Sequence, residues 1–300
     1  GKSTIGLAAL GYARDGCKII SGEIIFNGID LLKIPENEKR KLRGNKISYV
    51  AQSAAAAFNP AHRLLDQFTE APVDHGIMSK NASREKGKSI YRTLDLPEPE
   101  NIGERWPHQV SGGQLQRMMV AMALSCGPDL IIFDEPTTAL DVTTQIEVLK
   151  TIKEVVSSQN VAAIYITHDL AVVAQLADHL MVLRYGSLIE KNKTSQILNA
   201  PKKDYTKALL DARKRDEKLS LLNNDKETLL KINSVTAGYG EGQNILEDIN
   251  ISIEKGETVS VVGESGSGKS TLARVITGLL PPRNGNIYFK GEELKPMLSQ

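Results

Sequence analysis

The chain has 300 residues, of which 41% are hydrophobic and 24% charged, and its formal net charge is +1. These values are typical of a globular protein with about two domains, and the near-neutral charge argues against a surface that coats nucleic acid or adsorbs strongly to membranes. The two cysteines, Cys17 and Cys126, are far apart, which excludes a cysteine-rich metal cluster or a disulfide framework and suits a reducing cytoplasm. No stretch of about 20 apolar residues occurs, so the sequence predicts no membrane-spanning helix.

The predicted elements alternate between helices and short apolar strands. After the opening Gly1-Lys-Ser-Thr4 we expect a helix as far as about Arg14, and a strand over Ile47 to Ala51 ends at Gln52. Residues 53–127 have a mainly helical pattern. The remaining predicted elements are a strand at Leu130 to Phe133, a helix at Asp141 to Ser157, a strand at Val161 to Thr167, a helix at Asp169 to Ala177 and a strand at Leu229 to Val235. This alternation indicates an α/β fold with a largely parallel sheet.

A complete phosphate-binding loop lies near the end of the chain, at Gly263-Glu-Ser-Gly-Ser-Gly-Lys-Ser270. It matches G-x-x-x-x-G-K-[ST], in which backbone N–H groups surround phosphates, the lysine reaches the β- and γ-phosphates and the hydroxyl binds Mg²⁺. The opening residues Gly1-Lys-Ser-Thr4 repeat the end of that loop, Gly268-Lys-Ser-Thr271. Two nucleotide-binding modules in tandem are therefore predicted.

A second aligned stretch favours duplication of a whole domain. Gly1 aligns with Gly268 at an offset of 267 (268 − 1), and Ser21 to Leu31 aligns with Asn284 to Leu294 at an offset of 263 (284 − 21). We expect a first module over residues 1–210, a charged linker over 211–228 and the start of a second module over 229–300. By this symmetry we expect a piece of a longer protein, which lacks the beginning of the first module and the end of the second.

Two adjacent carboxylates, Asp134 and Glu135, end the apolar strand that begins at Leu130. The carboxyl ends of strands are where an α/β sheet places its ligand chemistry. There one carboxylate can hold Mg²⁺, and the next can orient or deprotonate a water molecule. The alternative is a pair of carboxylates that caps the strand before Pro136, and these residues alone do not separate the two.

The longer motif Leu130-Ile-Ile-Phe-Asp-Glu-Pro-Thr-Thr-Ala-Leu-Asp141 resembles Walker B and the D-loop of the ATP-binding cassette (ABC) ATPases. Other segments resemble that family in the same order: the end of Walker A at Gly1-Lys-Ser-Thr4, the Q-loop glutamine Gln52, the signature motif Val110-Ser-Gly-Gly-Gln-Leu-Gln-Arg117 and the switch segment Thr167-His168-Asp169. Valine at position 110 replaces the usual leucine, a mild departure. The resemblance covers residues 1–190 and resumes over 229–300. It implies a P-loop NTPase-type ABC ATPase cassette with a helical subdomain, followed by the start of a second cassette.

The resemblance also implies ATP and Mg²⁺ as cofactors and a role for each matching residue. Glu135, His168 and Gln52 are expected to act in hydrolysis, and the expected Mg²⁺ ligands are Ser3, Gln52, Asp134 and Ser270. The residues expected to contact ATP are Gly1, Lys2, Ser3, Thr4, Ser111, Gly112, Gly113, Gln114, Asp141, Tyr239, Gly263, Glu264, Ser265, Gly266, Ser267, Gly268, Lys269, Ser270 and Thr271.

Cassettes of this family pair head to tail, so each ATP lies between one Walker A and the opposite signature. The resemblance implies that Gly263 to Thr271 faces Ser111 to Gln114, whose small residues and free N–H groups at a helix N-terminus would face outward and suit phosphate. A simple glycine turn before a helix is the alternative. Tyr239 resembles the aromatic residue that stacks on adenine, with a packed aromatic as its alternative.

Two segments resemble the oligopeptide, dipeptide and nickel importer branch: Phe58-Asn-Pro60 with Gln67 and Glu70 downstream, and Pro201 to Leu210 after the cassette. The resemblance implies a subunit that hydrolyses ATP to power uptake of peptides or related small solutes. Its implied partners are two transmembrane permease subunits and a solute-binding protein, and its implied place is peripheral, on the cytoplasmic face of the cell inner membrane. Phe58 is either an apolar contact for the permease or a core residue.

A tandem ABC translation factor that acts on the ribosome is the alternative from another class. Such proteins typically read Asn-His after the Walker B threonine and Ser-His-Asp at the switch. This chain has Thr138-Ala139 and Thr167 at those places. The differences favour the importer.

Overall fold

The computed structural model describes residues 1–137, 142–214, 227–240, 242–263 and 266–294. The chain divides near residue 216 into two compact units. Each unit has apolar clusters of its own. Asp141, Glu264, Ser265 and most of the predicted linker lie outside the described residues.

The first unit contains most of the helices. Its elements, in chain order, are α1 (Lys2–Ala9), β1 (Ile25–Phe26), β2 (Ile29–Asp30), α2 (Glu36–Leu42), β3 (Ile47–Val50), α3 (Ala54–Ala57), α4 (Leu64–Asp74), α5 (Lys80–Thr93), α6 (Gly112–Leu124), β4 (Leu130–Asp134), α7 (Val142–Ser158), β5 (Ala162–Ile166), α8 (Leu170–Leu176), β6 (His179–Arg184), β7 (Ser187–Lys193), α9 (Thr194–Asn199) and α10 (Asp204–Lys214). Short 3₁₀ turns at Ile102–Glu104 and Pro107–Gln109 lead into α6. The helical pattern predicted for residues 53–127 is confirmed.

A three-stranded parallel sheet, in the order β3-β4-β5, separates two apolar layers of this unit. Side chains alternate between its faces, so Ile132 and Ile166 join one cluster while Phe133 joins the other. The first cluster lies beside α1, where an added Cβ on Gly6 would come within 2.7 Å of the Ile166 side chain. Helix α1 therefore packs close to the sheet, and the alternation directs Asp134 to the α1 side.

Parallel pairing is less extensive than the sequence pattern predicted. In the described residues of this unit, β1–β2 and β6–β7 are separate antiparallel pairs. Two-residue turns with positive φ, Asn27-Gly28 and Tyr185-Gly186, join these strands, and such tight turns permit only antiparallel neighbours. The opening helix is also shorter than predicted, because Gly11 adopts a left-handed φ of 63° just after it.

The helical part of the unit encloses an apolar core between α4, α5 and α6. Phe68 and Tyr91 meet there edge to face, with ring centroids 5.9 Å apart. Phe58 belongs to the same core and is only 4% exposed. Of the two roles considered for Phe58, the structure therefore supports the core residue, and the permease contact is wrong.

The tail after the cassette packs on the β6–β7 pair. Glu190 of β7 accepts hydrogen bonds from the backbone N–H groups of Lys202 and Lys203, at 2.9 and 3.2 Å, just before α10 begins. These bonds favour the carboxylate form and hold the pKa of Glu190 below its usual value. The carboxylate thus joins the sheet to the start of α10.

The second unit is built on an antiparallel sheet in the order β11-β10-β8-β9. Its elements are β8 (Thr228–Ala237), β9 (Leu246–Glu254), α11 (Lys269–Ile276), β10 (Asn284–Phe289) and β11 (Glu292–Glu293). Leu272 and Val275 of α11 are buried in a core with Ile232 and Val235 of β8. In neither unit does a described helix combine the length and the apolar character that crossing a bilayer requires.

The two aligned stretches of sequence form matching structures. Helices α1 and α11 each run for eight residues from the lysine of the motif. In β1–β2, Ile25 pairs with Asp30, and in β10–β11, Tyr288 pairs with Glu293, which preserves the offset of 263 (288 − 25). The repeat therefore extends to strand register.

Phe58→Ala should lower the free energy of unfolding of the first unit by about 3–5 kcal/mol, because it leaves a cavity in a closed core. Urea unfolding monitored by fluorescence of Trp106, the only tryptophan of the chain, measures the change. Ile20→Ala is the matched control, because Ile20 is 89% exposed. Equal stability of the two variants would contradict the burial of Phe58.

Candidate active site

Asp134 ends β4 as a carboxylate that is only 5% exposed. Both of its oxygens accept hydrogen bonds: Ser3 Oγ donates to Oδ1 at 3.1 Å, and Tyr49 Oη donates to Oδ2 at 2.6 Å. Burying a carboxylate is costly unless it is hydrogen-bonded in this way. The site thus brings together the second residue of α1, the middle of β3 and the end of β4.

Tyr49 is a site residue that the sequence motifs do not identify. Burial is the main cause that raises its pKa, and the hydrogen bond to Asp134 adds to the effect. Tyr49 therefore remains a protonated donor at neutral pH. The available signal was the alternation in β3, which places Ile47 and Tyr49 on the face that α1 covers.

Glu135 adopts a left-handed conformation, with a φ of 48°. This conformation costs a non-glycine residue about 1–3 kcal/mol. Its backbone N–H nevertheless donates to the carbonyl of Ile166 at 2.9 Å, which continues the β4–β5 pairing. The following Pro136 disfavours the right-handed helical region at this position. The Glu135 side chain has different partners from those of Asp134.

Three side chains from separate segments meet the Glu135 carboxylate. Lys2 Nζ lies 3.7 Å from Oε1, His168 Nδ1 lies 3.2 Å from the same oxygen, and Gln52 Nε2 donates to Oε2 at 3.4 Å. Lys2 also donates to the carbonyl of Thr167 at 3.2 Å. The sequence-predicted residues Lys2, Gln52, Glu135 and His168 thus form one cluster, while Ser3 and Asp134 form a hydrogen-bonded pair beside it.

The residues present have the chemistry that a nucleotide with Mg²⁺ requires. The Ser3 hydroxyl and the Asp134 carboxylate are the hard oxygen ligands that Mg²⁺ prefers. Lys2 and the N-terminus of α1 supply positive charge and N–H groups for phosphate. Gln52 was expected both to act in hydrolysis and to bind Mg²⁺. Its amide donates to Glu135, not to the Ser3–Asp134 pair. Gly1 and Thr4 are exposed at the start of α1.

The phosphate-binding loop of the second unit is described except for Glu264 and Ser265. Its glycines Gly263, Gly266 and Gly268 all have positive φ, and a Cβ on Gly268 would lie 2.9 Å from Leu246 Cδ2. Lys269 Nζ turns back to donate to the carbonyl of Gly263 at 2.8 Å and to Ser267 Oγ at 3.3 Å. The cation therefore lies within the loop that matches the phosphate-binding motif.

The ABC transporter family matches residues 1–138 and 246–300. The chain belongs to this family. A solved dimeric ATP-binding cassette, MJ0796, bound to ADP and Pi in a post-hydrolysis state, superposes with a TM-score of 0.56 at 26% identity over 65% of this chain and 81% of that one. The family and the cassette fold that the motifs indicated are confirmed.

Curated relatives match over most of the chain. The peptidoglycan transport ATP-binding protein YejF of Agrobacterium fabrum is 34% identical over 91% of this chain and 52% of its own length. The glutathione import ATP-binding protein GsiA of Salmonella choleraesuis is 32% identical over 98% of this chain and 54% of its own length. The chain therefore spans about half the length of the curated relatives it matches.

In this ABC cassette the signature motif caps α6. Ser111 Oγ accepts from the backbone N–H of Gln114 at 3.2 Å, and Gln114 Oε1 accepts from the backbone N–H of Ser111 at 3.0 Å. Gly112 is exposed, but Gly113 is buried, and a Cβ there would come within 2.2 Å of Thr144 Cγ2. The expectation that small residues and free N–H groups face outward is therefore wrong for Gly113, which is buried, and for the N–H groups of Ser111 and Gln114, which are hydrogen-bonded.

The cassette residue Tyr239 follows β8 and is 44% exposed. Its hydroxyl accepts a hydrogen bond from Arg274 Nη1 at 2.6 Å. Hydrogen bonds from Thr271 and Arg274 lower the pKa of Tyr239. The exposed ring suits stacking better than it suits the packed alternative.

Ser270, expected to hold Mg²⁺, is exposed at the start of α11, whereas Thr271 is 5% exposed.

Tyr49→Phe should lower the free energy of unfolding of the first unit by about 1.5–3 kcal/mol at pH 7, because a hydrogen bond to a charged group is lost. The folded-state pKa of Tyr49 lies above its unfolded value of about 10. The stabilisation is therefore present below pH 10 and is lost as the pH rises further. Urea unfolding at pH 7 and at a pH above 10 measures the difference in stability between Tyr49→Phe and the unchanged protein. The control is Tyr12→Phe, because Tyr12 is 41% exposed. A difference that does not shrink at alkaline pH would contradict this assignment.

Proposed function

We propose that this chain is the ATP-binding and ATP-hydrolysing part of an ABC importer that powers uptake of peptides or related small solutes. The observation that carries the proposal is the contact of Glu135 with Lys2, Gln52 and His168, beside a hydrogen-bonded Ser3–Asp134 pair. A carboxylate in such a cluster can act as a general base. The lysine and the hydroxyl–carboxylate pair supply what phosphates and Mg²⁺ need.

Each residue has a separate task in this proposal. Glu135 orients the attacking water and takes up its proton, and His168 holds the carboxylate through the 3.2 Å contact. Lys2 moves from Glu135 toward the phosphates, which frees the carboxylate to act as a base. Ser3 and Asp134 would hold Mg²⁺, which when bound neutralises charge that develops on the phosphates. Gln52 contacts Glu135 and follows β3, so it can respond to what the site contains.

The peptide-importer assignment draws on two independent kinds of support. The relatives are named for glutathione import and peptidoglycan transport, and the chain carries Phe58-Asn-Pro60 and the Pro201 to Leu210 tail. Both relatives are transport proteins, which favours an importer over a translation factor. We therefore infer peptide-like solutes as the substrate class.

The proposal includes partners and a location. Two transmembrane permease subunits would form the path for the solute, and a solute-binding protein would deliver it. The chain would lie peripherally on the cytoplasmic face of the inner membrane. Its two cassettes, over residues 1–210 and from 229 with a linker at 211–228, would pair head to tail, with Ser111 to Gln114 opposite Gly263 to Thr271.

Glu135→Gln in the full-length protein should reduce ATP hydrolysis at the first site by about 10²–10⁴-fold and leave ATP bound. The amide keeps the shape of the carboxylate but cannot accept a proton. Steady-state turnover and equilibrium binding are measured in a Lys269→Ala background, which silences the second site. Undiminished hydrolysis would overturn the role of Glu135.

Lys269→Ala should weaken ATP binding at the second site at least tenfold, because it removes the cation that lies inside the loop. Binding is measured in full-length protein whose first site carries Lys2→Ala. The matched control is Lys255→Ala, which removes an exposed lysine of the same unit. Equal affinity of the two variants would show that this loop does not bind phosphate.

A further inference from the structure

We propose that Arg283 is a positioning residue that holds the loop carrying Tyr239 and so strengthens binding of the adenine base at the second site. The inference rests on the proposed nucleotide-binding function of that site. It concerns the connection from β8 to β9, which the structure describes apart from residue 241. No sequence motif singles out Arg283.

The Arg283 guanidinium binds the loop at several points. It donates to the carbonyl of Gly240 at 2.6 Å, to the carbonyl of Gly242 at 2.7 Å and to Asn244 Oδ1 at 2.7 Å. The carbonyl of Tyr239 lies 3.5 Å away, at the limit of a hydrogen bond. One side chain therefore binds three residues of the loop, Gly240, Gly242 and Asn244. A side chain with a single hydrogen bond would hold the loop at only one of these points.

The chemistry of this position requires arginine. A guanidinium carries five N–H donors in a fixed plane, whereas a lysine ammonium is a compact point charge. The loop also closes tightly on the group, because a Cβ on Gly238 would lie 3.2 Å from Arg283 Cζ and 2.7 Å from the carbonyl oxygen of Gln243. The absence of a side chain at Gly238 thus makes room for the guanidinium.

Arg283 is itself held by the sheet. Its backbone N–H donates to the carbonyl of Thr236 at 2.8 Å, and the next residue, Asn284, pairs with Thr236 at the start of β10. The guanidinium thus extends from a fixed point of the β8–β10 ladder. Because the backbone of Arg283 is fixed in this way, its guanidinium can hold the loop in place.

A second arginine connects the Tyr239 ring to the phosphate-binding loop. Arg274 donates to the Tyr239 hydroxyl at 2.6 Å, and its guanidinium carbon lies 5.8 Å from the ring centroid. Arg274 belongs to α11, which begins at Lys269. The ring is held from the phosphate side by Arg274, and its backbone is held from the sheet by Arg283. Together they set the distance between an aromatic surface for the base and the cation for the phosphates.

The first copy has a different residue at the position of Arg283. At the offset of 263, Arg283 aligns with Ile20 (283 − 263), which has no side-chain donor. The two copies share the eight-residue helix and the following hairpin but differ at this position. Of the two aligned positions, only the one in the second copy therefore carries a guanidinium.

The test uses full-length protein with Lys2→Ala at the first site and measures binding of ATP and of inorganic tripolyphosphate by calorimetry. Tripolyphosphate has the phosphates but no base. We expect Arg283→Ala to weaken ATP binding about tenfold and to leave tripolyphosphate binding unchanged. Tyr239→Ala should have the same effect, and the double variant should lose no more than either single variant, because both act through one ring.

Two further variants separate positioning from charge. Arg283→Lys keeps the positive charge but not the planar set of donors, so it should lose as much ATP affinity as Arg283→Ala. Lys290→Ala removes an exposed cation from the residue after β10 and should change neither affinity. Full affinity in Arg283→Lys, or a parallel loss of tripolyphosphate binding in Arg283→Ala, would overturn the proposal.

The outcomes also separate this inference from the proposed function. If Tyr239→Ala weakens ATP binding and Arg283→Ala does not, the site binds adenine as proposed and the positioning role of Arg283 is wrong. If the Lys2→Ala protein binds neither ATP nor tripolyphosphate, the proposed function of the second site fails, and the role of Arg283 fails with it.

Discussion

The burial of one carboxylate controls the arrangement of the first site. Asp134 is 5% exposed, and a buried carboxylate costs several kcal/mol unless donors satisfy its oxygens. Those donors come from α1 and β3, through Ser3 and Tyr49. The requirement to satisfy Asp134 therefore places the helix that carries Lys2 and the strand that leads to Gln52 around the end of β4.

Parallel strand order supplies the rest of the cluster. Because β3, β4 and β5 run in the same direction, Gln52, Glu135 and His168 all follow strand ends at one edge of the sheet. The left-handed turn at Glu135 gives the two neighbouring carboxylates different surroundings. Asp134 is buried between hydroxyl groups, whereas Glu135, whose side chain is 18% exposed, contacts a lysine, an imidazole and an amide. Two adjacent acidic residues can thus have different chemical roles, because their surroundings differ.

The two copies of the module show which features their shared structure requires. Both have an eight-residue helix after the motif glycine and a hairpin whose register is conserved. These features depend on backbone geometry, such as the positive φ of Gly28 and Gly291. Ile20 and Arg283 occupy the same place in the repeat and differ in chemistry. Divergence at such supporting positions can change how each site holds its nucleotide while the shared backbone is kept.

The sequence by itself determined the family, the fold class and the identity of the residues around Glu135, because motif order and residue chemistry are local properties of the chain. It did not determine the partners of Asp134, the burial of Phe58, the packing of Gly113 on Thr144 or the contacts of Arg283. Each of these depends on residues distant in sequence: Tyr49 and Asp134 are 85 positions apart, and Arg283 and Gly240 are 43 apart. Only the tertiary structure brings such pairs together, because strand pairing and helix packing decide which side chains share one face.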